Sequence, residues 1–189
     1  MIKQAIIPLA GLGTRLLPLT SVMPKELLPI NGKPALEYIL DECIQAGIKE
    51  VILIISKKKI MIKNYFFRDK FYKKIIKKKK DKRIIHEYKK IQKYKRIIKF
   101  VYQNKPLGTG DAVLKAKRLI KDKFFLLLLP DDLIIKKNCS KNLISIHKKY
   151  NSSVMASKNV NRKNVQRWGI YDIKNKLDKN NFSIKNVVE

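Results

Sequence analysis

With 189 residues, 45% of them hydrophobic, the chain has room for one large domain or two small ones and can bury a real core, which excludes a wholly disordered protein. Lys and Arg number 44 against 15 Asp and Glu, a formal charge of +29, but lysine spread from Lys3 to Lys185 among abundant Ile and Asn carries most of it. That is the bias of an AT-rich genome, and the sparse arginine argues against a dedicated base-reading surface, although non-specific polyanion binding at low salt is expected.

The pattern in chain order alternates apolar strands with helical stretches, which predicts a parallel α/β sheet in a single domain. Residues from about Gln4 to Leu9 form the first strand. Pro34 to Ala46 has apolar residues at helical spacing, with proline at its start and Gly47 just past its end. Val51 to Ile55 reads as a second buried strand and Lys58 to Phe67 as a short helix. The lysine-dense segment from about Arg68 to Arg96 contains no Gly or Pro. Its pairs Ile75–Ile76 and Ile84–Ile85, with Tyr88 and Ile91, predict one amphipathic helix or two joined near Asp81, an insertion packed beside the sheet. Lys99 to Tyr102 is expected as a third strand, Asp111 to Ile120 as a helix, and Phe124 to Leu129 as a fourth, fully buried strand. A helix from about Lys141 to Lys149 follows, then strands near Val154 to Ser157 and Gly169 to Ile173. A polar turn spans Asn175 to Asn181, and Ile184 to Glu189 is expected as a strand arriving at the sheet. No apolar run reaches bilayer length and no leader pattern opens the chain. Cys43 and Cys139 offer neither a disulfide framework nor a metal spacing. A cytoplasmic protein without a membrane partner is expected.

Ligands of open parallel sheets sit beyond the carboxyl ends of the strands. Four polar clusters fall there: Gly11 to Arg15, Gln103 to Asp111, Asp131–Asp132, and Trp168–Gly169. The first is followed by Pro24-Lys25-Glu26-Leu27-Leu28-Pro29, a lysine presented between prolines. Glycines let backbone N–H groups approach phosphate oxygens, and Arg15 and Lys25 supply positive charge, so the loop reads as a grip for a nucleoside triphosphate. It is neither the dinucleotide fingerprint, which needs a third glycine, nor a Walker A loop, which ends Gly-Lys-Ser/Thr. His86 and His147 are expected to be structural or exposed, Cys43 buried, and Asp132 a cap beside Asp131. Trp168 is open between packing and lining a sugar pocket.

The strings AGLGTRLLP, MPKELLPI, KPALEYILDECIQAGIKEVILI, QNKPLGTGDAVLKA, LLLLPDDLI and WGIYDI, with the lysine-rich insertion and the terminal VVE, resemble the sugar-nucleotide pyrophosphorylases, most closely their uridylyltransferase branch. The resemblance covers the whole chain. It implies a Rossmann-like, mostly parallel sheet flanked by helices, of the nucleotide-diphospho-sugar transferase type. It implies transfer of a uridylyl group from UTP to glucose-1-phosphate with Mg²⁺, giving UDP-glucose and pyrophosphate. By the same resemblance, Ala10, Gly11 and Gly13 hold the uracil and phosphates through their backbone, and Leu12 and Thr14 complete that nucleotide loop. Arg15 meets the β- and γ-phosphates, Lys25 neutralises the α-phosphate, and Glu26 helps read the base. Gln103 and Gly108 contact the uracil edge, Asp131 binds the metal, and Gly169 and Glu189 address the glucose hydroxyls.

Two departures accompany the match. Asp111 stands where the branch more often has histidine. The family continues past the position of Glu189 with Lys-Pro, whose lysine grips the sugar phosphate, then with a second metal-binding aspartate, further strands and the helices of the dimer contact. The expectation is therefore a C-terminally shortened chain that keeps the UTP half, with impaired transfer and without the family-type homo-oligomer. Two alternatives stay open: another sugar-phosphate nucleotidyltransferase, for example one using dTTP, or a basic remnant that binds nucleotide or RNA without catalysis.

Overall fold

The computed structural model describes residues 2–68 and 70–188. Its organising strands are β1 (Gln4–Pro8) and, past a helix, β4 (Glu50–Ile55), whose side chains from Val51 to Ile55 are wholly buried. Near-continuous apolar runs of this kind suit a parallel sheet covered on both faces. β1 pairs parallel with β4, Ile6 opposite Ile52, and with the short β6 (Leu126–Leu127); β4 pairs parallel with β5 (Ile98–Tyr102), Leu53 opposite Phe100. The sheet order is β5-β4-β1-β6. Between β1 and β4 lies a small antiparallel ribbon, β2 (Pro29–Ile30) with β3 (Lys33–Pro34), turning at Asn31–Gly32.

The strands' two-residue alternation sorts their side chains onto two helix layers. Ala5, Ile7, Val51, Leu53 and Ile55 share a core with helices α1 (Ala35–Gln45), α2 (Ile60–Phe67), α4 (Lys82–Ile97) and α6 (Cys139–Tyr150). Ile6, Ile52 and Ile54 pack on the other face against Ala112 and Ala116, in and just after α5 (Thr109–Lys115). In α1 the buried residues Leu36, Ile39, Leu40 and Cys43 recur at one helical face. Pro34 precedes the helix and Gly47 follows it, as the sequence predicts.

The lysine-rich insertion is two helices, α3 (Lys70–Lys79) and α4, separated at Lys80–Asp81. The Asp81 carboxylate accepts from the backbone N–H of Arg83 (2.8 Å) and Ile84 (3.2 Å), an N-cap that starts α4 afresh. One residue of α4 goes fully inside: Tyr94 meets Phe66 edge-on and donates from its hydroxyl to Asp41 Oδ1 at 2.6 Å. Burial, first of all, and then the Asp41 hydrogen bond and the carboxylate charges of Glu37 and Asp41 push that phenol far above its usual range. Tyr65 donates to Glu37 and Lys90 pairs with it, so the insertion is fastened to α1 through polar contacts as well as packing.

Several sequence expectations need correction. The fourth strand is neither as long as Phe124–Leu129 nor fully buried. Only Leu126 and Leu127 pair with β1, and Leu127 is 43% exposed, because β6 is the sheet's edge. The helix expected over Asp111–Ile120 is α5 followed by a separate 3₁₀ turn, Lys117–Leu119. Residues 154–157 form no strand and have no ladder partner among the described residues: Val154 is only half-buried and Met155, Ala156 and Ser157 are exposed, so their apolar character is not used in a core.

Residues 155–189 make a second compact unit, separate from residues 1–154. Within it, β7 (Ile170–Lys176) and β8 (Phe182–Val188) form an antiparallel hairpin from Ile170 opposite Val188 to Lys176 opposite Phe182, irregular between Asp172 and Asn175. The terminal strand therefore pairs with β7 and not with the four-stranded sheet. The polar turn is shorter than expected, because β7 continues to Lys176. It is closed by Asp178, which accepts from the backbone N–H of Asn180 and Asn181, both at 3.0 Å.

Candidate functional site

β1 delivers the chain to the carboxyl edge of the sheet, where Leu9 N–H still bonds Ile54 O at 2.7 Å and Ala10 is buried. The chain then turns at Gly13 with φ +70°, where a side chain would be strained and its Cβ would meet Thr20 Cγ2 at 3.1 Å. Thr20 Oγ1 donates to Gly13 O at 2.9 Å and fixes the bend. Three 3₁₀ turns follow, Thr14–Leu16, Leu19–Ser21 and Lys25–Leu27. Pro24 O accepts from Leu27 N–H at 2.9 Å, so the turn carrying Lys25 is anchored at its start.

The first and third of these turns wall a cavity of about 510 Å³ whose lining includes Gly13, Thr14, Arg15, Lys25, Glu26 and Asp131, with apolar lining from Ala35, Leu36 and Leu133. Lys25 Nζ donates to Asp131 Oδ1 at 2.5 Å, across 106 residues of sequence. The Asp131 side chain is 63% exposed, so this pair is held in a wet, open setting and contributes little to stability by itself. Its chemistry suits an exchange of partners.

Glu26 is different in kind. It is buried, and both its carboxylate oxygens accept from Lys59 Nζ, at 2.7 and 2.9 Å. Burial lowers the Lys59 ammonium's pKa from its ordinary value, opposed by the Glu26 charge and hydrogen bond, while the nearby Lys25 charge lowers it further. Lys59 is the residue that sequence reasoning missed, since it is one of three successive lysines, Lys57–Lys59.

A second polar group lies past β5. Gln103 is 4% exposed, and its backbone N–H bonds Ile55 O at 2.9 Å. Its Nε2 donates to Gly108 O at 3.1 Å and to Asp111 Oδ2 at 2.8 Å. Gly108, at φ +94° and ψ 177°, has a backbone conformation that side chains rarely adopt, and it starts α5. The Gln103 hydrogen bond leads in lowering the Asp111 carboxyl's pKa, burial opposes it, and Lys115 at 3.2 Å lowers it further.

The structure thus gathers Gly13, Thr14, Arg15, Lys25, Glu26 and Asp131 around one cavity and joins Gln103 to Gly108 in a separate cluster. Ala10, Gly11 and Leu12 lead into the loop but do not line that cavity; Ala10 is buried, while Gly11 and Leu12 are exposed. Gly169 lies in the second unit, directly before β7, and Glu189 lies outside the described residues. Trp168 is half exposed under Lys158, whose ammonium stands 4.9 Å from the ring centroid. His147 Nδ1 is 2.8 Å from Ser152 O and its ring packs on Phe124, a structural setting. Cys43 is buried, and burial pushes its thiol up to about 12, an inert group.

Among the described residues no three metal-binding side chains cluster. Asp131 nonetheless fits Mg²⁺, a hard cation that is commonly held by one or two carboxylates together with substrate phosphates. Only one of its oxygens is engaged by Lys25.

A parallel α/β sheet with a cationic, glycine-turned loop at the carboxyl edge is the architecture of a phosphate-ligand-binding protein. The chain belongs to the nucleotidyl transferase family, whose model matches residues 4–189. It is 34% identical to the UTP–glucose-1-phosphate uridylyltransferase of Bacillus subtilis over 189 residues, all of this chain and 64% of that protein. It is 37% identical over 172 residues to UTP–glucose-1-phosphate uridylyltransferase 2 of Staphylococcus saprophyticus, covering 90% of this chain and 59% of the relative. A UTP-bound UGPase from Acinetobacter baumannii superposes with a TM-score of 0.91 at 32% identity, over the whole of this chain and 68% of the other. The chain spans less than two thirds of the length of these curated relatives.

Proposed function

We propose that this chain is a UTP–glucose-1-phosphate uridylyltransferase, acting in the cytoplasm with Mg²⁺. The observation that carries the reading is the cavity in which a glycine-turned loop, two cations (Arg15 and Lys25) and two carboxylates (Glu26 and Asp131) meet, on a chain of this family. The reaction is an in-line displacement: a phosphate oxygen of glucose-1-phosphate attacks the α-phosphorus of UTP, the bond to the β-phosphate oxygen breaks, and pyrophosphate leaves. Catalysis of this type is positioning and charge neutralisation without a covalent nucleophile.

In this reading the backbone of Ala10, Gly11, Leu12, Gly13 and Thr14 follows the nucleotide, and Arg15 takes the β- and γ-phosphates. Lys25 leaves Asp131 to face the α-phosphate, where negative charge grows during transfer. Asp131, once released, would hold Mg²⁺, which would supply charge neutralisation at the phosphate oxygens. Glu26 acts from its buried pair with Lys59, Gln103 and Gly108 meet the uracil edge, and Gly169 and Glu189 address the sugar. The names of the relatives support UTP and glucose-1-phosphate as substrates.

Pyrophosphate release by the purified chain with UTP, Mg²⁺ and glucose-1-phosphate tests the proposal. Release that requires all three supports it. Release with dTTP but not UTP, or UTP binding without any transfer to glucose-1-phosphate, overturns it.

A further inference from the structure

Two buried glutamines stand at opposite ends of the sheet, and their amides are used differently. Gln4, 3% exposed, donates from Nε2 to Glu50 Oε1 (2.6 Å) and Leu119 O (2.8 Å), and its Oε1 accepts from Lys121 N–H at 2.7 Å. Every side of that amide is occupied. Gln103 has the same donor pattern, with Nε2 on Gly108 O and Asp111 Oδ2, yet its Oε1 accepts no hydrogen bond from the described residues. Buried polar groups are nearly always partnered, so an exception calls for a reason. The oxygen is not sealed away either: Ser56 Oγ is the sole inaccessible, unpartnered side-chain polar atom among the described residues.

The orientation of this amide is set by chemistry. Gly108 O is an acceptor and the Asp111 carboxylate is acceptor-only when ionised, so turning the amide over would put oxygen against two acceptors. With the Gln103 hydrogen bond keeping the Asp111 carboxyl acidic, the lock holds at neutral pH. Gln103 can therefore offer a ligand only a hydrogen-bond acceptor.

We infer that Asp111 is a specificity-determining positioning residue: by fixing the Gln103 amide through Nε2, it presents Oε1 to the nucleobase and selects bases with a ring N–H. Uracil N3–H satisfies that oxygen. Cytosine presents a bare N3 lone pair at the same place, two acceptors meet, and the fixed amide cannot turn to relieve them. Thymine shares uracil's N3–H, so the device separates uracil from cytosine and leaves the choice against thymine to other contacts. The inference rests on the reading of Gln103 as a base contact, and it concerns a residue that the uridylyltransferase resemblance does not supply.

Equilibrium binding of UTP and CTP to the full chain tests it, with wild type, Asp111→Leu, Asp111→Asn, Gln103→Leu and the double variant Asp111→Leu/Gln103→Leu. Asp111→Leu removes the stronger of the two acceptors that hold Nε2 and leaves Gly108 O alone to orient the amide, so the UTP-over-CTP preference is expected to fall by up to about tenfold, the scale of one buried hydrogen bond made or unmet. Asp111→Asn, which keeps an acceptor oxygen for Nε2, is expected to retain most of the preference. In the Gln103→Leu background, Asp111→Leu is expected to change the ratio no further, because the two act through one bond. A merely structural Asp111 would weaken both nucleotides alike. An unchanged ratio in Asp111→Leu with UTP binding intact overturns the positioning role alone. The same ratio in wild type and Gln103→Leu overturns the base-contact reading and the inference with it. Asp111→Asn reads the lock independently if the leucine variant does not fold: a ratio lost as fully as in Gln103→Leu shows that the acceptor oxygen is not what matters.

Discussion

At the amino end of the parallel sheet, Gln4, Glu50, Lys99 and Lys121 are closed upon one another, with Lys99 Nζ 2.5 Å and Lys121 Nζ 3.6 Å from Glu50 Oε2. At the carboxyl end the same residue types recur as Lys25, Asp131 and Gln103. There the ion pair stands open to solvent and the glutamine oxygen is unclaimed by the described residues. Composition does not distinguish the two ends. What differs is whether the polar atoms are satisfied by the chain itself, and that difference is what separates a structural stitch from a place built for a ligand.

The most severe break of the comparison is at the buried Glu26–Lys59 pair of the carboxyl end. Lys59→Met leaves Glu26 charged and alone, and is expected to destabilise the fold by about 3–5 kcal/mol in chemical denaturation, with the added change Glu26→Leu recovering much of the loss. Lys25→Ala is expected to slow uridylyl transfer on the order of 10²–10³-fold while the melting temperature hardly moves, because its partner is exposed. Gln4→Leu is expected to show the opposite pattern. It costs about 1–3 kcal/mol of stability by leaving Glu50 Oε1, Leu119 O and Lys121 N–H without their Gln4 partner, with UTP affinity unchanged.

The smallest effect concerns acid. Burial tends to raise the Glu50 carboxyl, but hydrogen bonds from Lys99 and Gln4 and the charges of Lys99 and Lys121 bring it below its ordinary value. A depressed carboxyl gives stability that is present above the unfolded pKa, about 4.3, and is lost as pH falls through the folded value. Glu50→Gln is therefore expected to lower stability slightly by a constant amount near neutrality and to flatten the profile modestly below about pH 5, measured by denaturation at stepped pH.

Much of the fold was legible because local signals agreed with the tertiary outcome. The apolar runs at Ala5–Ile7 and Val51–Ile55 could be buried only in a covered sheet. Pro34 and Gly47 bracketed α1, and Asp81 marked the restart of α4. The signals failed where neighbours decide. Phe124–Leu129 is as apolar as a central strand, yet it sits at an edge, and sheet position is not written in its composition. Val187–Val188 reads as a strand arriving at the main sheet, and pairs instead with Ile170–Tyr171. In the candidate site, Gly13, Arg15, Lys25 and Asp131 were legible from the loop pattern and the family resemblance. Lys59 was not, because nothing but its burial separates it from Lys57 and Lys58. The unmatched oxygen of Gln103 required the distances to Gly108 and Asp111.

The insertion in α3 and α4 also bears on how this sequence came to carry so much lysine. In α4 the attachment rests on Tyr94, with Ile91 and Ile97 packed beside it and Lys90 on Glu37. Mutational pressure toward lysine codons can therefore overwrite the outward face of α4 at little cost, while a change at Tyr94 would loosen α1, whose first residues Ala35 and Leu36 line the cavity. Purifying selection along these helices should be concentrated on one or two positions per turn, with the remainder free to follow the genome.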